Sequence, residues 1–197
     1  MFGSWISFWT VYFIGGYILD NYDKSIILPG NNLSLKDIYI SLFINCLLSF
    51  LCIPISNHIP TIFIVPNNFY GYIIRWILGL VVGDIILYVT HRLLHHPKLY
   101  RFHKQHHIYT SPHVLAGLYA HPIEYVFSNH LSMIIPLKII SNQELIILES
   151  ALVALNILIS HSGKDSTYAR RHTIHHEKNK YNYSFLHLMD RLCGTYM

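Results

Sequence analysis

The chain has 197 residues, of which 52% are hydrophobic and only 12% charged, and its formal charge is +4 with histidine neutral. Soluble domains carry about a quarter charged residues, so this balance excludes an ordinary soluble globule. The positive charge is modest and no basic helix stands free of apolar sequence, which excludes nucleic acid as a partner.

A membrane is the solvent that this composition fits. The first apolar run, Trp5 to Leu19, has no basic residue before it and no small-x-small site closing it. It is expected to be an uncleaved membrane segment rather than a signal peptide. A polar linker around Asn31 and Asn32 follows, with a helix start expected at Ser34 to Asp37. The second run, Ile38 to Ile55, leads into 54-PISNHIPTIFIVPNN-68, whose three prolines predict an irregular course.

The third run, Tyr72 to Val89, delivers the chain to 91-HRLLHHPKLY-100, where Pro97 is expected to end the helix. Beyond it 101-RFHKQHHIYTS-111 reads as a further helical piece stopping before Pro112. Two more apolar stretches lie between Ile123 and Ile159, separated by Pro136 and 141-SNQE-144. Four or five membrane segments result. The last 37 residues are polar enough to leave the bilayer. The fold class expected is all-α, an integral membrane helix bundle with a cytosolic histidine-rich helical cap, and residues 1–197 read as one domain.

Basic residues set the orientation. Arg92, Lys98, Arg101 and Lys104 flank the first histidine-bearing segment, and Lys164, Arg170, Arg171, Lys178, Lys180 and Arg191 the last. By the positive-inside rule both segments face the cytoplasm, with 57–70 on the opposite side. Cys46, Cys52 and Cys193 are too few and too dispersed for a disulfide framework. Sequons at Asn32 and Asn182 fall on the cytoplasmic side and read as chance matches.

The fifteen histidines are grouped. His91 and His95 are four apart, while His103, His106 and His107 repeat the spacing of His172, His175 and His176. On a helix each group shares one face and can aim its imidazoles at a common centre. Imidazole suits iron, zinc, copper or nickel. Eight such residues exceed what one tetrahedral zinc needs, so at least two metals are implied. HExxH is absent. His130 reads as a hydrogen-bonded core residue, and His58, His96, His113 and His187 lack a grouped partner and are left out. Asp84, seven residues before His91, is costly in an apolar run unless paired. Its expected partner is a ligand imidazole, Arg75 or Arg92, in a structural or ligand-supporting role.

The series 91-HRLLH-95, 103-HKQHH-107, 121-HP-122 with Glu124, 161-HSG-163, 172-HTIHH-176, 182-NY-183 and 190-DRLCGTY-196 resembles the fatty acid hydroxylase and sterol desaturase superfamily of membrane diiron oxygenases. The resemblance covers residues 84–197. Within it, 117-GLYAHPIEY-125 looks like C4-methylsterol oxidase, and 94-LHHPKLY-100 with 190-DRLCGTY-196 looks more like sterol C5-desaturase. It implies two non-haem Fe ions, O2 as co-substrate, and electrons from cytochrome b5 and an NAD(P)H-dependent reductase. The implied reaction is hydroxylation or desaturation of a membrane lipid, sterol-like before fatty acyl. The implied location is the endoplasmic reticulum, with a bacterial plasma membrane as the alternative. As ligands it implies His91, His95, His103, His106, His107, His172, His175 and His176, with His121 and His161 as extra ligands. For His121, helix capping or a supporting hydrogen bond stays open. Asn182 and Asp190 are expected to orient ligands, and Glu124 to pair with a basic residue or hold His121. The stretch 162-SGKDSTYARR-171 is shorter than in sterol-handling relatives, so part of a lid is expected to be missing. Rival readings are a histidine-rich metal transporter, which needs polar ligands threaded through the spans, and a zinc-dependent membrane hydrolase.

Overall fold

The computed structural model describes residues 1–22, 35–63, 65–108, 114–140, 146–162 and 167–197, and every regular element among them is helical. The apolar runs become α1 (Phe2–Tyr22) and α2 (Leu35–Leu51), followed by the single turn α3 (Ile53–Asn57), and then α4 (Phe69–Leu94). After the short helix α5 (Pro122–Glu124) a π-helical turn (Tyr125–His130) runs directly into α6 (Leu131–Ile139). Helices α7 (Ile146–Ser160), α8 (Thr167–Lys178) and α9 (Leu188–Leu192) complete the order. The spans Phe2–Asn21 and Phe69–Leu94 are each long and apolar enough to cross a membrane. The helix start expected around Ser34 and the sequon at Asn32 lie outside the described residues.

Burial follows the membrane pattern. On α2, Ser41, Asn45 and Ser49 are buried while Phe43, Ile44, Leu47 and Phe50 are exposed. On α4, Asp84 is buried while Ile73, Trp76 and Ile77 are exposed. Lipid tails solvate apolar side chains at no cost but cannot hydrogen-bond, so polar groups turn toward neighbouring helices. Asn45 Nδ2 accordingly donates to the carbonyls of Leu118 (3.0 Å) and Ala120 (3.2 Å).

The helices alternate in direction. Gly3 faces Ile147 and Gly16 faces Leu158, so α1 and α7 run the same way. Trp5 reaches Ser49 Oγ near the end of α2 at 3.0 Å, whereas Ser41 at its start lies against Ala120, so α2 returns. Thr90 Oγ1 pairs with Ser128 Oγ at 2.9 Å and Gly83 with Ser132 and Pro136, so α6 runs against α4. The segment 58–63 is tied by Ile62 and Phe63 N–H to the Ile139 carbonyl. That segment therefore sits at the end of the bundle opposite the grouped histidines.

At the histidine end the turn Val114–Leu118 is wholly buried, with Tyr12 Oη accepting from Leu118 N–H (3.0 Å) and donating to the Leu115 carbonyl (3.2 Å). This turn is the floor on which the histidine cap rests. His130 is buried against Tyr125, but neither of its ring nitrogens has a hydrogen-bond partner among the described residues, which corrects the expected core hydrogen bond.

Candidate metal centre

Nine of the ten expected ligands converge into two groups, and the groups cut across the sequence motifs. His91, His95, His103, His107 and His175 form one; His106, His161, His172 and His176 form the other, with ligand atoms inside each group within 4.8 Å of one another. Each HxxHH motif contributes its first and last histidines to one group and its middle one to the other. The expectation that a pentapeptide serves a single centre is thereby corrected. Residues i and i+4 stay on one face of a helical turn, while the i+3 residue lies on the other side of that stripe, so two motifs facing each other fill two adjacent sites. The motif 103–107 does so without an α-helix. It is made of tight 3-10 turns at Tyr100–Phe102 and His106–Ile108, so the predicted helical piece is realised over 101–108 as separate short turns, while 109–111 lie outside the described residues. Pro97 does follow the end of α4, whose C-cap is His95.

Which nitrogen faces the centre is fixed by the other one. His91 Nδ1 lies 2.7 Å from the Tyr183 carbonyl, His175 Nδ1 2.7 Å from the Tyr181 carbonyl and His161 Nδ1 2.9 Å from the Ile157 carbonyl. A carbonyl only accepts, so these Nδ1 atoms carry the proton and Nε2 presents a bare lone pair. His103 Nδ1 lies 2.9 Å from Glu124 Oε1. Glu124 therefore serves His103, neither holding His121 nor pairing with a Lys or Arg among the described residues.

The Nε2 atoms of the first group stand 2.9 to 3.2 Å apart: His91 to His103 is 3.0, His103 to His107 is 2.9, His103 to His95 is 3.1, and His175 to His95 and to His107 is 3.2 Å. Lone pairs facing one another at this distance repel unless a cation lies among them. Two nitrogens at right angles on a metal about 2.1 Å away stand roughly 3.0 Å apart, against roughly 3.4 Å at tetrahedral angles. The donor set thus fits a metal with more than four ligands. In the second group His172 Nε2 lies 2.8 Å from His161 and 3.0 Å from His176. The groups abut, with the His107 and His176 rings 4.6 Å apart.

Burial keeps the imidazoles neutral, the form that binds metal. It lowers His107 to about 3 and His161 to about 4, and holds His103, His106, His172, His175 and His176 well below the ordinary value, with neighbouring imidazoles adding to the effect.

His121 is not part of either group. It is the N-cap of α5, its Nδ1 accepting from Ile123 N–H at 3.1 Å, so the capping alternative is the one realised. Asp84 is also corrected. It meets neither arginine nor ligand; Oδ1 accepts from Leu186 N–H (2.6 Å) and Oδ2 from Met189 N–H (3.2 Å), pinning the C-terminal loop to α4. Arg75 instead donates to the Val65 carbonyl and to Asn67 Oδ1.

Asn182 and Asp190 reach His175 and His91 only through the backbone. Asn182, in the left-handed region at φ 56°, is buried and donates its amide to the Arg171 and Met197 carbonyls, both at 3.1 Å. Asp190 accepts from Tyr183 and Ser184 N–H at 2.9 Å each. Together they hold the strand of chain whose Tyr181 and Tyr183 carbonyls orient His175 and His91. Asn182 is thus built into the fold, and its sequon is not a surface feature.

An apolar cavity of about 360 Å³ lies between α4, α6 and α7, and a smaller one of about 90 Å³ touches His91, His106, His161 and His172. They share Leu87, Asn129, Asn156, Ile157, Tyr168 and Phe185, so the apolar cavity lies directly beside the histidine-lined one. Sequence reasoning passed over Asn129, Asn156 and Tyr168, whose only signal is an uncharged polar residue within or beside an apolar run. It also set aside His187, which lines the smaller cavity with φ 58° and Nδ1 3.5 Å from Asp190 Oδ2.

The family model described as fatty acid hydroxylase matches residues 76–195. The chain is 34% identical over 147 residues to fatty acid hydroxylase domain-containing protein 2 of Macaca fascicularis, covering 72% of this chain and 42% of that protein. It is 33% identical over 133 residues to methylsterol monooxygenase 1 of Gallus gallus, covering 58% and 43%. With the Delta(7)-sterol 5(6)-desaturase of Leptosphaeria maculans it shares 31% identity over 143 residues, covering 66% and 39%. The chain spans about two fifths of the length of these relatives. No solved structure matches it.

Proposed function

The chain belongs to the fatty acid hydroxylase family, and from that premise we propose that it is an O2-dependent diiron oxidoreductase that hydroxylates or desaturates a membrane lipid, with a sterol-like substrate ahead of a fatty acyl one. The observation that carries this reading is the division of nine buried or half-buried imidazoles into two abutting groups beside an apolar cavity. The metal reading and the lipid reading each need one half of that juxtaposition.

In this reading His91, His95, His103, His107 and His175 hold one iron, and His106, His161, His172 and His176 the other. Bound iron supplies the activation of O2 and the oxidation of an unactivated C–H bond, with two electrons and two protons consumed for each hydroxyl formed. The protein does the rest. The Tyr181, Tyr183 and Ile157 carbonyls and Glu124 keep four imidazoles correctly oriented. Leu87, Ile157 and Phe185 exclude water between the lipid site and the metals. Hydroxylation and desaturation differ in how the second hydrogen of the bound lipid is presented, so both outcomes belong to the proposal. Electrons come from cytochrome b5 and an NAD(P)H-dependent reductase, and the site faces the cytosol at the endoplasmic reticulum.

The test is lipid profiling of cells with and without the gene, joined to metal analysis of the purified protein. The expected result is an oxygenated or newly unsaturated sterol that needs O2, with about two iron atoms per chain. Zinc alone with O2-independent turnover, or iron movement across vesicles without lipid oxidation, would replace this reading by a hydrolase or a transporter.

A further inference from the structure

The wall common to the two cavities carries polar side chains in an otherwise apolar setting. The larger cavity is walled mainly by residues such as Leu80, Leu87, Met133, Leu137, Leu152 and Ile157. Where it meets the histidine-lined space, Asn129, Asn156 and Tyr168 line both. Tyr168 Oη donates to Asn156 Oδ1 at 2.9 Å. That bond leaves the Asn156 amide N–H groups and the Tyr168 lone pairs without a protein partner among the described residues, and the Asn129 side chain makes no hydrogen bond among them. Two amides on apolar helices with unused capacity are costly in a dry cavity, and such polar residues inside a membrane bundle face a ligand or a partner.

Their placement is coordinated with the metal centre. Asn129 sits in the π-helical turn Tyr125–His130, a local change of helical register of the kind that re-aims side chains at functional sites. Tyr168 is four residues before His172 on α8, and therefore a neighbour of that ligand on the same face. Asn156 precedes His161 by five residues, a rise of roughly 7.5 Å. The polar group is thus about one to one and a half helical turns from histidines of the second group just after α7 and on α8. Among the described residues no lysine or arginine lines the smaller cavity, and Arg75 and Glu149 belong to the other side of the larger one. A neutral oxygen suits this collar better than a carboxylate or phosphate.

We infer that Asn129, Asn156 and Tyr168 bind a hydroxyl oxygen of the substrate, so that the carbon oxidised lies within a few bonds of that oxygen. The inference rests on the reading of the apolar cavity as a lipid site. The hydroxyl accepts from the Asn156 amide and donates to Asn129 Oδ1 or Tyr168 Oη. A ring hydroxyl on a sterol and a terminal hydroxyl on a straight chain share this chemistry.

The test is equilibrium binding to the purified, metal-loaded protein in detergent. Four probes are used: a 4-methylsterol, its 3-deoxy counterpart, octadecanol and octadecane. One alcohol is expected to bind roughly tenfold or more tighter than its deoxygenated partner, and the pair that shows the difference identifies ring or chain. Asn156→Leu and Asn129→Leu are each expected to erase that ratio while the deoxygenated lipid binds as before. Should either leucine variant fail to fold, Tyr168→Phe removes one oxygen and is expected to narrow the ratio. Equal binding of alcohol and hydrocarbon by the unaltered protein, or an unchanged ratio in the variants, overturns the collar and leaves the lipid site standing. Binding of none of the four overturns the lipid site, and the collar with it.

Discussion

The rings of His107 and His176 lie 4.6 Å apart although each belongs to a different group of converging imidazoles. The two groups therefore share a seam, and one pentapeptide contributes to both sides of it. Replacing one ligand of each group separates their roles. His175→Ala is expected to cut iron from about two per chain to about one, and His176→Ala likewise from the other group, with turnover down by about 100-fold or more in each. Elemental analysis and single-turnover assays of the two variants measure this. Full iron content in both would break the assignment.

His121 supplies the contrasting case. Its Nδ1 caps α5, so His121→Ala is expected to leave metal content unchanged and to cost about 0.5–2 kcal/mol of stability, the ordinary value of an N-cap. Thermal unfolding and elemental analysis on the same sample decide it; loss of a metal would restore His121 as a ligand.

Gly117 lies under the second group. A Cβ there would meet Ile157 Cγ2 at 2.7 Å and His161 Nδ1 at 3.0 Å. Gly117→Ala is expected to push His161 off its position and empty the four-histidine group selectively, leaving the five-histidine group loaded. A metal count near one per chain supports this, and a count of two contradicts it.

The strand that carries Tyr181 and Tyr183 is tethered by Asp190. Asp190→Ala leaves the buried N–H groups of Tyr183 and Ser184 unpaired, at about 1–3 kcal/mol each, and frees the carbonyls that orient His91 and His175. Metal affinity is expected to fall roughly 10–100-fold, by competition with a chelator of known strength. An affinity equal to the unaltered protein's would mean those carbonyls orient nothing.

The buried imidazoles predict an acid-sensitive apoprotein. His107 is lowered to about 3 and His161 to about 4 by burial, whereas in the unfolded chain histidine titrates at about 6.5. Below that value the unfolded chain takes up protons that the folded one refuses, so stability is complete above about pH 6.5 and declines as pH falls toward 4. The melting temperature of metal-stripped protein in detergent should drop between pH 7.5 and 5. A flat profile would place these rings in contact with water.

Hydropathy and histidine spacing alone determined that the chain is a membrane helix bundle with grouped histidines that could hold metal, because both signals are local. A run of apolar residues has one low-energy environment, and an i, i+4 pair shares a face whatever surrounds it. The residues His91, His95, His103, His106, His107, His161, His172, His175 and His176 were all legible in this way or by resemblance. Only the tertiary structure decided how they divide. The packing of the 103–107 turns against α8 places His106 with the second group and His175 with the first, and no spacing within one segment encodes the position of another. The same reason separates His121 from the two histidine groups, gives Asp84 backbone partners about a hundred residues away, and assembles Asn129, Asn156 and Tyr168 from three different elements.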